Sequence, residues 1–186
     1  MDKIKQFEKE RDDRISKNAD DEKLKSFANQ WLNESMIKQY VYNFSWLGRP
    51  IIQSPQDIMA LQEIIWDVKP DMIIETGIAH GGSLIFSASM LTLLEACGEI
   101  ENGQVLGIDI DIREHNKKAI EDHSMNKKIK MLQGSSLDKK MIQKVNDFAK
   151  NAKKILVCSK LNQLLLMKVL GKLEAIYCYQ HIFEHF

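Results

Sequence analysis

The chain of 186 residues is long enough for one domain with a real core, and 44% hydrophobic with 28% charged residues is ordinary for a soluble globular protein. Lys plus Arg equals Asp plus Glu at 26 each, which leaves no net-charge footprint for nucleic acid and suits a small neutral or zwitterionic ligand. No apolar run approaches the ~20 residues of a transmembrane span, and Cys97, Cys158 and Cys178 form no C-x-x-C pair, so the thiols read as buried ones in a reducing cytoplasm.

The first 22 residues are dense in mixed charge, with Ile4, Phe7 and Ile15 as the apolar anchors of a solvated helix. Residues 27–47 carry Phe27, Trp31, Leu32, Met36, Ile37, Tyr40, Phe44, Trp46 and Leu47 near i, i+4 spacing, which predicts a helical cap with one buried face, ended by Gly48-Arg49-Pro50. Ser54-Pro55-Gln56-Asp57 is a helix start, with Ser54 as N-cap, Pro55 at the first helical position and an acid in the first turn. Ile58, Leu61, Ile65 and Val68 give that helix its buried stripe, and Lys69-Pro70 stops it.

The stretch 71–83 organises the rest. Met72, Ile73 and Ile74 read as a buried strand, followed by Glu75, then Gly77, Gly81 and Gly82, and a long apolar helix from Ser83. Glycine lets a turn take positive φ or approach a ligand closely, and the helix that follows offers unpaired N–H groups, so strand, glycine turn and helix together read as a nucleoside cradle. The spacing is not G-x-G-x-x-G, so the dinucleotide fingerprint is not met. Residues 104–111 read as a second strand that carries Asp109 at its end, where a carboxylate can accept both hydroxyl protons of a ribose. A helix over 115–123 follows, with His115 and His123 as surface residues rather than ligands. Residues 128–136 read as a third strand and small-residue turn, 139–148 as a third helix and 153–158 as a fourth strand. This alternation predicts a Rossmann-like, doubly wound α/β parallel sheet.

The runs Trp46-Leu47-Gly48-Arg49-Pro50, Pro55-Gln56-Asp57, Lys69-Pro70-Asp71, Glu75-Thr76-Gly77-Ile78-Ala79-His80-Gly81-Gly82-Ser83-Leu84 and Gly107-Ile108-Asp109-Ile110-Asp111-Ile112-Arg113 resemble the cephalosporin hydroxylase and rhamnosyl O-methyltransferase family over roughly residues 27–158. The resemblance implies a class I methyltransferase fold that binds S-adenosylmethionine. It implies that Glu75, Gly77, Gly81, Gly82 and Ser83 line the methionine and ribose side, that Asp109 holds the ribose, and that Gly134 and Ser135 lie near the adenine. It also implies an acceptor hydroxyl on a small molecule, sugar or glycolipid, and a divalent metal, Mg in the family, held by an acid just after the fourth strand.

Here that strand runs into Ser159-Lys160-Leu161-Asn162-Gln163, where no acid stands, so the metal ligands are not found and impaired catalysis is expected. The organisation expected is a helical segment over 1–50, a cofactor-binding core over 51–158 and a divergent tail over 159–186. The tail is expected to supply one amphipathic helix and one short strand, too little for the three further strands and crossovers of a complete sheet of this class. A late frameshift accounts for such a truncated member, and a natural short variant completed by a partner chain is the alternative. The exposed strand edge favours self-association. Three functions stay open: methyl transfer to oxygen, cofactor binding without turnover, and nicotinamide-dependent redox chemistry, to which the glycine spacing is poorly suited.

Overall fold

A computed structural model describes residues 2–159; the helix and strand expected in the tail lie outside the described residues. Two compact units divide between Val41 and Tyr42. In the first, α1 (Lys3–Ala19) is N-capped by Asp2 and α2 (Glu22–Ile37) by Asp21, whose carboxylates accept main-chain N–H bonds from the first turn. No residue of α1 is buried, as its charge density requires, and the arginine of Arg14 lies over the ring of Phe7 at 5.7 Å. The stripe on α2 is not the buried face expected: Phe27, Trp31, Met36 and Ile37 are exposed, and Trp31 meets Tyr40 edge-on at 5.5 Å.

The helical periodicity also misleads after Ile37. The chain leaves the helix, makes a 3-10 turn at Tyr40–Asn43, and enters an antiparallel hairpin of β1 (Phe44–Trp46) and β2 (Arg49–Ile51). Its two-residue loop has positive φ at Leu47 (44°) and Gly48 (83°), the requirement of a type I′ turn. Aromatic residues at 44 and 46 alternate with period two, a strand signal hidden among others at helical spacing. The hairpin packs on the sheet unit, since Trp46 stacks edge-on against Phe86 at 4.9 Å and donates its indole N–H to Ser89 Oγ at 3.0 Å.

From there the chain follows the expected alternation. α3 (Pro55–Val68) has Ser54 as N-cap accepting from the Asp57 N–H, and ends in a left-handed Lys69. Leu61 and Ile65 are buried, with Ala60 beside them, while Ile58 and Val68 are half-buried. Next come β3 (Met72–Thr76), α4 (Gly82–Ala96), β4 (Gln104–Asp109), α5 (Glu114–Glu121), β5 (Ile129–Gln133), α6 (Lys139–Ala149) and β6 (Ile155–Ser159). The four long strands are parallel in the order β5-β4-β3-β6. Met72, Ile74, Leu106, Ile108, Ile155 and Val157 share one sheet face with Met141, Val145 and Ala149 of α6. Gly107 points the other way and lies against Leu84, so α4 covers the second face. Helices on both faces make the sheet doubly wound, as expected.

This strand order fixes where a ligand can sit. The chain steps outward from β3 to β4 to β5 and then returns to the far side of β3, and ligands of such sheets bind outside the carboxyl ends of the strands at that reversal. At the opposite ends, the Asp71 carboxylate accepts the N–H groups of Lys153 and Lys154, each at 2.8 Å, and its carbonyl accepts from Gln104 N–H at 3.0 Å. One residue thereby ties β6 and β4 to the start of β3. Cys158 is buried in β6, whereas Cys97, expected to be buried, is exposed after α4.

Candidate functional site

Glu75, Gly77, Gly81, Gly82, Ser83, Asp109 and Ser135 all stand at the carboxyl end of the sheet, on β3, β4, the turns that leave β3 and β5, and the first turn of α4. Asp109 is the link between them. Its Oδ2 accepts the Ile78 N–H at 2.7 Å and its Oδ1 accepts the Asp111 N–H at 3.1 Å, while its carbonyl accepts the Gly134 N–H at 2.8 Å. The acid therefore holds the glycine turn of β3 and the small-residue turn of β5 in one place. An ionised carboxylate has about four lone-pair sites, so acceptor capacity for two hydroxyls remains on a side chain that is only half-buried. Ser135, half-buried on the neighbouring turn, accepts the Leu137 N–H at 3.3 Å.

Glu75 is 4% exposed and accepts the hydroxyl of Ser83 from the first turn of α4, which joins strand end to helix start. Gly77 and Gly81 have φ of 88° and 83°, as a tight turn demands. Gly82 has a different reason to be glycine. A Cβ there would stand 2.6 Å from the Pro50 carbonyl carbon and 2.8 Å from the Ile51 Cα, so the missing side chain admits the backbone of β2 against the helix start. The close approach expected at this turn is made by the protein's own chain.

Several residues of the site were given no role by the sequence. Arg49 donates to the His80 carbonyl from Nε at 3.1 Å and Nη2 at 2.5 Å, and Nη2 also reaches Asn116 Oδ1 at 3.2 Å. Asn116, 5% exposed, donates in turn to the Ala79 carbonyl at 3.0 Å. Hairpin and α5 thus clamp the turn between β3 and α4, through an arginine that in sequence stood in a family-like run at the break before α3 but had no role assigned. His123 accepts the Met125 N–H on Nδ1 at 3.1 Å, so Nε2–H donates to the Leu47 carbonyl at 3.0 Å, a structural use of a residue expected on the surface. Ile110 and Leu137, 74% and 55% exposed, leave apolar side chains beside Asp109 and after β5, suited to the face of a flat ring. Gln53, 3% exposed just before α3, has an amide oxygen without a hydrogen-bond partner. A buried acceptor in want of a donor fits a ligand bearing N–H or O–H groups.

Among the described residues no group of three or more His, Cys, Asp or Glu can hold a metal ion. A cavity of about 750 Å³, lined by Lys69, Asp71, Glu99, Gln104 and Lys153, lies at the amino ends of the strands and is separate from this site.

The profile of the rhamnosyl O-methyltransferase/CmcI family matches residues 38–178. The chain belongs to that family. The match reaches past Cys158 into the stretch that reads as foreign to the family from sequence. Among solved structures, the apo structure of CmcI is similar at 19% identity and a TM-score of 0.52, over 73% of this chain and 57% of that one. A structure titled as CmcI with Mg and SAM is similar at 18% identity and a TM-score of 0.45, over 68% of this chain and 50% of that one. One titled as CmcI with SAH gives 18%, 0.48, 72% and 65% for the same measures. The chain thus spans little more than half the length of the apo CmcI structure, and what that likeness shows is the fold. Comparison with curated proteins finds no match. Among the described residues no helix is long and apolar enough to cross a membrane.

Proposed function

We propose that this member of the rhamnosyl O-methyltransferase/CmcI family binds S-adenosylmethionine at the carboxyl end of its sheet and serves methyl transfer to a hydroxyl of a small molecule, sugar or glycolipid. The observation that carries the reading is Asp109: an acid at the end of β4, fixed by the Ile78 and Asp111 N–H groups, with lone pairs left for the two ribose hydroxyls. Ser135, with Leu137 two residues on and Ile110 next to Asp109, suits the adenine end, and Glu75, Gly77, Gly81, Gly82 and Ser83 suit the ribose and methionine end. When bound, the cofactor supplies an electrophilic methyl on a sulfonium. The chain's own residues supply position, since transfer in line with an acceptor oxygen gains most from holding two reactants in register. The Arg49, Asn116 and His80 clamp keeps the turn rigid for that purpose.

The second reading, binding without turnover, is favoured by the sequence after β6, where Ser159-Lys160-Leu161-Asn162-Gln163 offers no acid for the family's metal. Calorimetric titration with S-adenosylmethionine, S-adenosylhomocysteine and NAD tests the cofactor: binding of the first two and not the third is expected, and binding of NAD alone would refute it. Methyl release onto sugar and glycolipid acceptors, with and without Mg, separates transfer from binding alone.

A further inference from the structure

We infer that Gln53 is a ligand-binding residue whose amide oxygen receives the α-ammonium of the methionine half of S-adenosylmethionine. Gln53 is 3% exposed, and its Oε1 is the buried side-chain atom left without a hydrogen-bond partner among the described residues. A buried acceptor that gives up water and gains nothing costs stability, so such a group calls for a donor that arrives from outside the chain.

Its place in the fold says which donor. Ile51 lies with its Cα against Gly82 at the start of α4, and two further residues, which span at most ~7 Å, bring the chain to Gln53. That leaves the backbone of Gln53 within a few ångströms of the segment packed on the start of α4, where Glu75 and Ser83 are also buried. The Glu75 carboxyl and the Gln53 amide oxygen are thus buried acceptors carried by segments that lead to the start of α4. A primary ammonium, with three donors and a positive charge, is the complement of such a pair. The inference rests on the cofactor reading above and adds a residue to it.

The test compares two probes on the full chain: S-adenosylhomocysteine, which carries the amino acid, and 5′-methylthioadenosine, which keeps the nucleoside and thioether but has no amino acid. In Gln53→Met, which preserves length and removes the acceptor, affinity for S-adenosylhomocysteine is expected to fall about 10-fold or more, with 5′-methylthioadenosine binding unchanged. The ligand-free melting temperature of the variant is expected at or above that of the wild type, because an orphaned polar atom has been replaced by an apolar one of similar shape. Gln53→Glu, which keeps an acceptor, is expected to bind S-adenosylhomocysteine within about threefold of wild type; it carries the test if Gln53→Met does not fold. Equal losses for both probes, or S-adenosylhomocysteine affinity unchanged in Gln53→Met or lost in Gln53→Glu, would overturn the inference while the cofactor reading stands. Wild-type protein that binds neither probe would overturn both.

Discussion

Asp109 and Gly82 show how a residue can be placed by sequence and yet explained by contacts the sequence does not contain. The acid at the end of β4 was readable as a ribose partner, but its carboxylate also accepts the Ile78 and Asp111 N–H groups. Asp109→Asn replaces one acceptor oxygen by a donor, so one backbone N–H loses its partner, and so does a ribose hydroxyl in the proposed complex. Calorimetry is expected to show S-adenosylhomocysteine binding weakened by about 1.5–3 kcal/mol, and thermal melting a less stable protein, because the bonds lost are to a charged group. For Gly82 the reason is packing against the Pro50 and Ile51 backbone. Gly82→Ala should cost about 1–3 kcal/mol in urea unfolding even without ligand, the range for overpacking a close contact. An unchanged midpoint would mean the hairpin yields easily there.

At the scale of elements, the parallel strands and their helices follow from local pattern, while the hairpin and the ties between elements do not. Ser54, Pro55 and Asp57 announce α3 because capping is a matter of neighbours within four residues. Trp46 gives no such notice of Ser89 and Phe86, residues far along the chain. Asp71 is a comparable tie at the amino ends of the strands, where it accepts the Lys153 and Lys154 N–H groups as β6 begins. Asp71→Ala leaves those two groups without their partner and should lower stability by about 1.5–3 kcal/mol in denaturant unfolding. Cofactor affinity should change little, since the site lies at the other end of the sheet.

For the whole molecule, the division between Val41 and Tyr42 puts the hairpin with the sheet and the helices α1 and α2 in a unit of their own. Removal of residues 1–41 is expected to leave a cooperatively unfolding protein. Removal of residues 1–47 also takes away β1 with Trp46, its stacking on Phe86 and its bond to Ser89, and should cost about 3–5 kcal/mol more, the cost of losing a large aromatic side chain. Equal melting temperatures for the two truncations would show the hairpin to be dispensable.

What the sequence determined by itself was local: four apolar runs of strand length, the caps and stops of α3, the glycine turn after Glu75 and the acid that ends β4. These are legible because period, propensity and capping act over a few residues. The tertiary structure decided the rest. It set the strand order β5-β4-β3-β6, which brings Glu75, Asp109 and Ser135 together at the carboxyl end of the sheet. It exposed the aromatic stripe of α2 and turned the end of that stripe into a hairpin. It made Arg49 and Asn116 clamps and left Gln53 with a buried, partnerless oxygen. None of these could be read along the chain, because each depends on which surfaces meet once distant segments pack.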